Sequence, residues 1–405
     1  MAHSSSAPPH ICFVALEAWP VLSGDARIRH VGGAEVQQCV LAHAFVQRGY
    51  RVSMVCADYG QANVEVVDGI TVHKCMTGRG RIPVVRFFHP RLTGIWGALE
   101  RADADIYYQR CANARAAVVA AFSRVNRRKF VYAAACDLDL ARNHTWKLFQ
   151  RRGGWRDRQL YFAALKWADA IIGQHAGQAA DLRRWYGREA TIVPSCYQPP
   201  LGSHASRDGA VLWVSILRSG KRPDLFLEIA RRLPHLRFRM VGGPPAEPHG
   251  EEFYGRIKAA AQSIPNLEFV GFVPHAEIEP EFNDARVFVN TSEFEGFPNT
   301  FLQAWSRGIP TVSFCDTGTR FEGRPVVSRA CDLDDMVKIL ERLMRDDAHW
   351  EEAGCLARAC MKAEHGPETA VAEYERVFET LGLTAATALE MGSAVPGRHM
   401  PASTE

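Results

Sequence analysis

The sequence predicts an α/β protein built as two consecutive domains, each organised on a mostly parallel sheet. Three observations carry this. The chain has 405 residues, about twice the length that one hydrophobic core usually serves. Short apolar runs of strand length alternate with segments of helical period, first over residues 11–173 and again from residue 210, the pattern of parallel strands joined by crossover helices. Between the two series, Pro194 to Gly209 concentrates proline, serine and glycine without periodicity and reads as a linker.

The first strand is the fully apolar run Ile11 to Leu16. A polar loop leads to Gly32-Gly33-Ala34-Glu35, after which Val36, Val40 and Ala44 recur at helical spacing until Gly49 stops the helix. A second strand, Arg51 to Cys56, completes a strand, glycine turn, helix, strand unit. Further strands are expected at 63–66, 71–74, 105–108, 130–134 and 170–173. The second series reads strand 210–216, helix 224–233, strand 237–241, helix 250–263, strand 267–270, strand 287–290, helix 300–307 and strand 311–314. No period of about 20–50 residues recurs, which argues against a solenoid. Residues 384–405 have no apolar face and read as a disordered tail.

Composition narrows the class. Apolar residues make up 47% and charged residues 23%, values of a globular protein. The formal net charge of +3 hides an asymmetry: residues 1–200 carry 26 Lys and Arg against 15 Asp and Glu, whereas 201–405 carry 22 against 30. The halves are therefore expected to face different partners. Eleven cysteines, an odd number with no C-x-x-C pair, argue against a disulfide framework or structural zinc and fit a reducing compartment. No apolar run approaches the roughly 18–20 residues of a membrane span. Ile11 to Leu16 lacks a basic flank, so it does not read as a signal peptide and a cytoplasmic protein is expected.

Three motifs carry chemistry. Gly32-Gly33 stands where a strand hands over to a helix, so backbone N–H groups there suit a phosphate. A lone Gly-Gly is also an ordinary tight turn, and the absence of G-x-G-x-x-G counts against a dinucleotide oxidoreductase. Arg218-Ser-Gly-Lys221-Arg222-Pro223-Asp224 follows the first strand of the second series. Cations at the carboxyl end of a parallel strand suit a diphosphate through charge-assisted hydrogen bonds; a solvated basic loop is the bland alternative. The third motif is Glu293-Phe-Glu295-Gly296-Phe297-Pro298-Asn299-Thr300-Phe301-Leu302-Gln303-Ala304-Trp305, then Gly308-Ile309-Pro310. It puts Glu295 in a strand-to-helix loop, where a carboxylate can accept from sugar hydroxyls, and Gln303 in the following helix.

In this order and spacing the three motifs resemble the family-4 retaining glycosyltransferases of the GT-B fold, over roughly residues 11–383. The resemblance implies two Rossmann-like domains with a deep interdomain cleft: residues 1–200 on the acceptor side and 201–370 binding the donor nucleotide. Residues 371–383 would form a helix crossing back to the first domain. It implies transfer of a sugar from a nucleotide-diphosphate sugar to a glycan or lipid-linked acceptor in polysaccharide or glycoconjugate biosynthesis, with retention and without a metal or other cofactor. Gly33 would face the donor diphosphate, and Lys221 with Arg218 would neutralise it. Glu295 would bond the donor sugar, the amides of Asn299, Thr300 and Phe301 would hold phosphate oxygens, and Gln303 would contact the ribose. Backbone at Gly271, Phe272 and Val273 would read the base.

The chain departs from the family in three places. Gln303 stands where the family usually has a second glutamate; Ile216 stands where it has an arginine, with Arg218 as substitute. Gln109 and Arg110 occupy the place of a histidine that many members carry, leaving Arg110, Asn113 and Asp137 as acceptor-side candidates. The rival readings are a nucleotide-sugar epimerase of the same fold and a non-catalytic protein that only binds sugar nucleotides.

Two surface features complete the expectations. Asp103-Ala-Asp105 and Asp137-Leu-Asp139 both spell D-x-D, a metal-holding pattern in other glycosyltransferase folds, but the first reads more simply as a helix cap and strand start. Arg142, His144, Lys147, Arg151, Arg152, Arg156 and Arg158 are interleaved with Trp146, Phe149, Trp155 and Phe162; Arg79, Arg81, Arg86 and Arg91 flank Phe87 and Phe88. This mixture suits peripheral attachment to an anionic membrane surface, on the inner face of the plasma membrane. A solvated helix face is the alternative. No nucleic-acid motif accompanies it.

Overall fold

The computed structural model describes residues 8–25, 31–75, 92–140, 154–245 and 249–383. Two sheets organise it. The first has eight strands, β1 (Ile11–Val14), β2 (Val52–Ala57), β3 (Val64–Val67), β4 (Ile70–Cys75), β5 (Ile106–Arg110), β6 (Lys129–Ala133), β7 (Ala170–Gly173) and β8 (Thr191–Ile192), in spatial order β3-β4-β2-β1-β5-β6-β7-β8. The second contains β9 (Ala210–Val214), β10 (Phe238–Val241), β11 (Leu267–Gly271), β12 (Ala285–Asn290) and β13 (Thr311–Ser313). A small antiparallel pair, β14 (Arg320–Phe321) with β15 (Arg324–Pro325), precedes the edge strand β16 (Val327–Arg329), and the second sheet runs β11-β10-β9-β12-β13-β16. All its pairs are parallel.

Strands of a parallel sheet are covered on both faces, which is why they read as continuous apolar runs. In β1, Ile11 and Phe13 enter one apolar cluster while Cys12 and Val14 enter the other. The first cluster receives the helix Gly33–Gln47; the second receives Thr93–Ala102, Arg115–Val125 and Gly154–Trp167. In β9, Val211 and Trp213 face one cluster and Leu212 the other.

One turn reverses the direction of the first sheet. β3 and β4 pair antiparallel, joined by Asp68 at φ 49° and Gly69 at φ 81°. Positive φ at both central residues is the tight hairpin turn that Asp-Gly favours. Apolar patterning predicts strands here without their direction, although the dipeptide supplies it.

Residues 333–364, which periodicity leaves unassigned, form the helices Leu333–Arg345 and Asp347–Glu364. Each begins on an aspartate cap: Asp332 accepts from the Asp335 N–H at 2.8 Å and Asp346 from the His349 N–H at 3.0 Å. The last helix among the described residues, Pro367–Thr380, returns to the first sheet and buries Ala370, Val371, Tyr374, Val377 and Phe378 in its core. Phe378 stacks on Phe45 at 5.7 Å, and the Tyr374 and Tyr108 hydroxyls lie 3.2 Å apart. Burial of each large side chain contributes about 1.5–3 kcal/mol. The expected tail, residues 384–405, lies outside the described residues.

Two buried histidines give the fold an acid limit. The His365 ring lies 4.9 Å from Phe297 and 5.8 Å from Trp305, with Nδ1 2.7 Å from the Ser195 carbonyl oxygen. Burial pushes its pKa from 6.5 down to about 4. Burial, helped by Arg51, does the same to His10. Between these values the unfolded chain binds protons that the native state refuses, so stability is lost as pH falls from 6.5 to about 4. His365 alone accounts for about 3 kcal/mol across that window. The thermal midpoint is expected to drop there and to be flat from pH 7 to 8; an unchanged midpoint at pH 4.5 contradicts the assignment.

Candidate active site

A cleft of ≈ 420 Å³ opens where the carboxyl ends of the two sheets face each other, the place where open parallel sheets bind ligands. From the first domain come Gly32, Gly33 and Gln37 at the start of the helix Gly33–Gln47, Arg110 at the end of β5, and Ala135 and Cys136 after β6. From the second come Ile216, Arg218 and Lys221 after β9, Gly242 and Gly243 after β10, Phe272, Val273 and His275 after β11, and Asn290 to Gln303 around the end of β12.

Lys221 and Glu295 meet in this cleft. Lys221 Nζ lies 2.5 Å from Glu295 Oε1, with side-chain exposures of 15% and 11%. The same oxygen accepts from Asn290 Nδ2 at 3.1 Å and Ser292 Oγ at 2.5 Å. Glu295 Oε2 takes no bond from a described residue. Thr291 Oγ1 donates to the Lys221 carbonyl at 2.8 Å and fixes the loop. Arg218 also lines the cleft; among the described residues its guanidinium has no ion-pair partner. Arg222 is turned away, paired to Asp224 and Glu293. One fixed and one unneutralised cation thus border a carboxylate with a free oxygen.

The helix Asn299–Arg307 points its start into the cleft. The N–H groups of Asn299 and Thr300 have no intrahelical acceptors there. Phe301 belongs to the core: its side chain is buried and its N–H donates to the Pro298 carbonyl at 3.0 Å. Of the three amides expected to hold phosphate, two therefore face the cleft.

This helix also grips the opposite wall. Asn299 Nδ2 donates to the Gly33 carbonyl at 2.9 Å, and Gln37 Nε2 donates to Asn299 Oδ1 at 3.0 Å and to the Cys196 carbonyl at 2.8 Å. A side chain at Gly33 would press on Asn299, and a Cβ at Gly296 would come within 2.6 Å of the Ala135 carbonyl. Glycine at 296 is therefore required by close approach of the two walls.

On the wall after β10 and β11, Phe272 and Val273 line the cleft and Gly271 does not. Gly271 sits at φ 84°, its carbonyl accepting from the Gly242 N–H at 2.8 Å. Sequence reasoning misses Gly242 and Gly243, although a glycine pair after an apolar strand is the signal that identifies Gly32-Gly33. A Cβ at Gly242 would strike the Ser215 carbonyl, and one at Gly243 would lie 2.7 Å from the Phe272 ring.

Of the acceptor-side candidates, Arg110 lines the cleft. Its Nη2 lies 3.3 Å from Ser195 Oγ and, with the Gln174 carboxamide turned to present oxygen, 2.6 Å from Gln174 Oε1. Asn113 is off the wall, its carboxamide occupied by Gln109 Nε2 and the Cys111 carbonyl. Asp137 is off it too, 2.8 Å from His175 Nε2 and 3.0 Å from Gln178 Nε2. Asp139 is buried, caps the Ala135 and Cys136 amides, and has its pKa raised by burial. In the other D-x-D, Asp103 and Asp105 both pair with Arg128.

Among the described residues, the group with metal-like spacing is Cys360, Glu364 and His365, outside the cleft, with ligand atoms within 4.8 Å of one another. Burial pushes the Cys360 thiol up to about 12. Of the basic and aromatic series, residues 79–91 and 142–152 lie outside the described residues. Trp155 is 68% exposed, whereas Phe162 packs on Tyr161 and Tyr186.

Two α/β domains on largely parallel sheets, with a cation-lined cleft between their strand ends, define the class of fold to which the family comparisons point. Residues 32–196 match the glycosyl transferase 4-like domain and residues 209–346 match glycosyl transferases group 1. The chain belongs to the family-4-type glycosyltransferases of the GT-B fold. Over 143 residues it is 32% identical to one component of the phosphatidylinositol N-acetylglucosaminyltransferase of Arabidopsis thaliana, a match covering 33% of this chain and 30% of that protein. The chain thus spans under a third of the length of that curated relative. Among solved structures it is similar to sucrose-phosphate synthase from Thermosynechococcus elongatus (TM-score 0.72, 18% identity, 92% of this chain and 99% of that one). HepE from Anabaena in complex with UDP-glucose gives TM-score 0.66 at 14% identity over 92% and 99%. The catalytic domain of starch synthase IV from Arabidopsis thaliana, bound to ADP and acarbose, gives 0.66 at 13% over the same shares. At these identities the likeness is one of fold.

Proposed function

We propose that this glycosyltransferase moves a sugar from a nucleoside-diphosphate sugar to a glycan or lipid-linked acceptor, with retention and without a metal, in polysaccharide or glycoconjugate biosynthesis. The observation that carries the reading is the convergence of Lys221, Arg218 and the open amides of Asn299 and Thr300 beside Glu295. Two side-chain cations and a helix N-terminus can neutralise a departing diphosphate where a metal would otherwise serve. Glu295 Oε2 is free to accept from a donor-sugar hydroxyl, and Phe272 and Val273 offer a wall for the base. In the step itself the bond from the anomeric carbon to the β-phosphate oxygen breaks, and the acceptor oxygen bonds that carbon on the same face. The acceptor proton passes to the departing phosphate oxygen. Arg110, facing the cleft from β5, is the acceptor-side group best placed to orient the incoming hydroxyl.

No helix among the described residues is long and apolar enough to cross a membrane. The basic excess of residues 1–200 and the exposed Trp155 support a peripheral role at an anionic cytoplasmic-side membrane, where a lipid-linked acceptor resides.

The test is a thermal-shift series with UDP, ADP and GDP, then turnover of the matching sugar nucleotides with and without membrane lipid extract, each with and without EDTA. One diphosphate at about 100 times its Kd is expected to stabilise by about 2.7 kcal/mol, with EDTA-insensitive, acceptor-dependent turnover. Loss of turnover in EDTA refutes metal independence; conversion of donor alone to an isomer refutes transfer.

A further inference from the structure

The family's carboxylate at position 303 is absent, and the structure sets another one directly behind that place. Gln303 lines the cleft and is 5% exposed. Its Nε2 donates to Glu279 Oε1 at 2.7 Å. Glu279 comes from the loop between β11 and β12, and its other oxygen accepts from Tyr197 Oη at 2.5 Å and Arg307 Nη2 at 3.0 Å. Arg307 also donates to the Glu279 and Gln303 carbonyls and to Asn283 Oδ1.

This network settles which end of the carboxamide faces the cleft. An ionised carboxylate only accepts hydrogen bonds, so Gln303 must turn its amino group to Glu279. Its oxygen is left over, and no described residue donates to it. An unsupported glutamine would present donor or acceptor with equal ease; this one presents an acceptor only.

We propose that Glu279 is a positioning residue that locks Gln303 as an acceptor for a ribose hydroxyl, so that the site selects ribonucleotides over deoxyribonucleotides. The inference rests on the donor-nucleotide reading of the cleft. The arrangement transposes a carboxylate and a carboxamide: the charge sits one step behind the wall, balanced by Arg307, and a neutral acceptor meets the ligand. A carboxylate at 303 as well would place two like charges within hydrogen-bond distance.

The transposition predicts a pattern of variants. In E279Q the new carboxamide's oxygen is claimed by Arg307 and Tyr197, so its amino group faces Gln303 and forces that carboxamide to turn over. The cleft then receives donors instead of an acceptor. In Q303E the two carboxylates repel. In Q303E/E279Q the amino group at 279 holds one oxygen of the new carboxylate, and the other faces the cleft as an acceptor again.

The experiment is calorimetric titration of UDP, ADP and GDP and of their 2′-deoxy and 3′-deoxy forms, on the native chain and the three variants. The native chain is expected to prefer a ribonucleotide by about tenfold, the worth of one hydrogen bond. E279Q and Q303E should each erase that preference, and the double variant should restore it. If E279Q lowers the melting temperature yet keeps the ribose preference, or if the double variant is no better than the singles, the proposal is overturned and the donor site stands. If none of the diphosphates binds the native chain, the donor-site reading falls and takes this inference with it.

Discussion

Replacing Lys221 by alanine is expected to lower kcat by about 100–1,000-fold, the typical cost of deleting one preorganised donor that meets charge developing in the transition state. The ammonium is held rigidly, because Glu295 Oε1 lies 2.5 Å away and the Lys221 carbonyl is tied to Thr291. It therefore costs no reorganisation when the diphosphate leaves. Folding is expected to survive the substitution, since Glu295 keeps Asn290 and Ser292 as donors. Steady-state turnover at saturating donor, with the thermal midpoint measured on the same preparation, separates the two effects. A native midpoint with undiminished kcat would remove Lys221 from the mechanism.

Arg307→Met is expected to cost about 3–5 kcal/mol of folding stability, as for other buried ion pairs that lose one partner. The arginine is 1% exposed. Its guanidinium serves the Glu279 carboxylate and carbonyl, the Gln303 carbonyl and the Asn283 carboxamide, and lies 5.4 Å from the Phe282 ring centre. Methionine fills the space but leaves a part-buried carboxylate without its countercharge. By contrast, Arg48→Ala breaks the half-exposed pair with Glu375 and is expected to cost only about 0–1 kcal/mol. Urea midpoints of the two variants test this; equal midpoints would show that Arg307 is not structural.

The sequence makes some of this legible and hides the rest for physical reasons. Lys221 and Glu295 are 74 residues apart, yet each is identifiable from its own strand-to-loop context, because a parallel sheet brings all its carboxyl ends to one edge. The same rule explains Arg218 and Gly33. What local pattern cannot reveal is pairing across the cleft: Gln37 reads as a polar residue in an apolar helix until Asn299 and Cys196 are seen beside it. Glu279 escapes notice because a loop glutamate has no periodicity to mark it. Motif position alone puts Asn113 and Phe301 in the site, whereas a neighbouring carboxamide and the core claim them.

The return of the helix Pro367–Thr380 to the first sheet also bears on how the chain is made. Tyr374, Val377 and Phe378 fill the apolar face of the sheet that contains Ile11, Phe13 and Phe45. During synthesis from the N-terminus that face stays uncovered until residues 367–380 leave the ribosome, while the second sheet can complete itself earlier. The half that begins first is finished last, and a chain stopped near residue 366 carries an open apolar surface that favours aggregation.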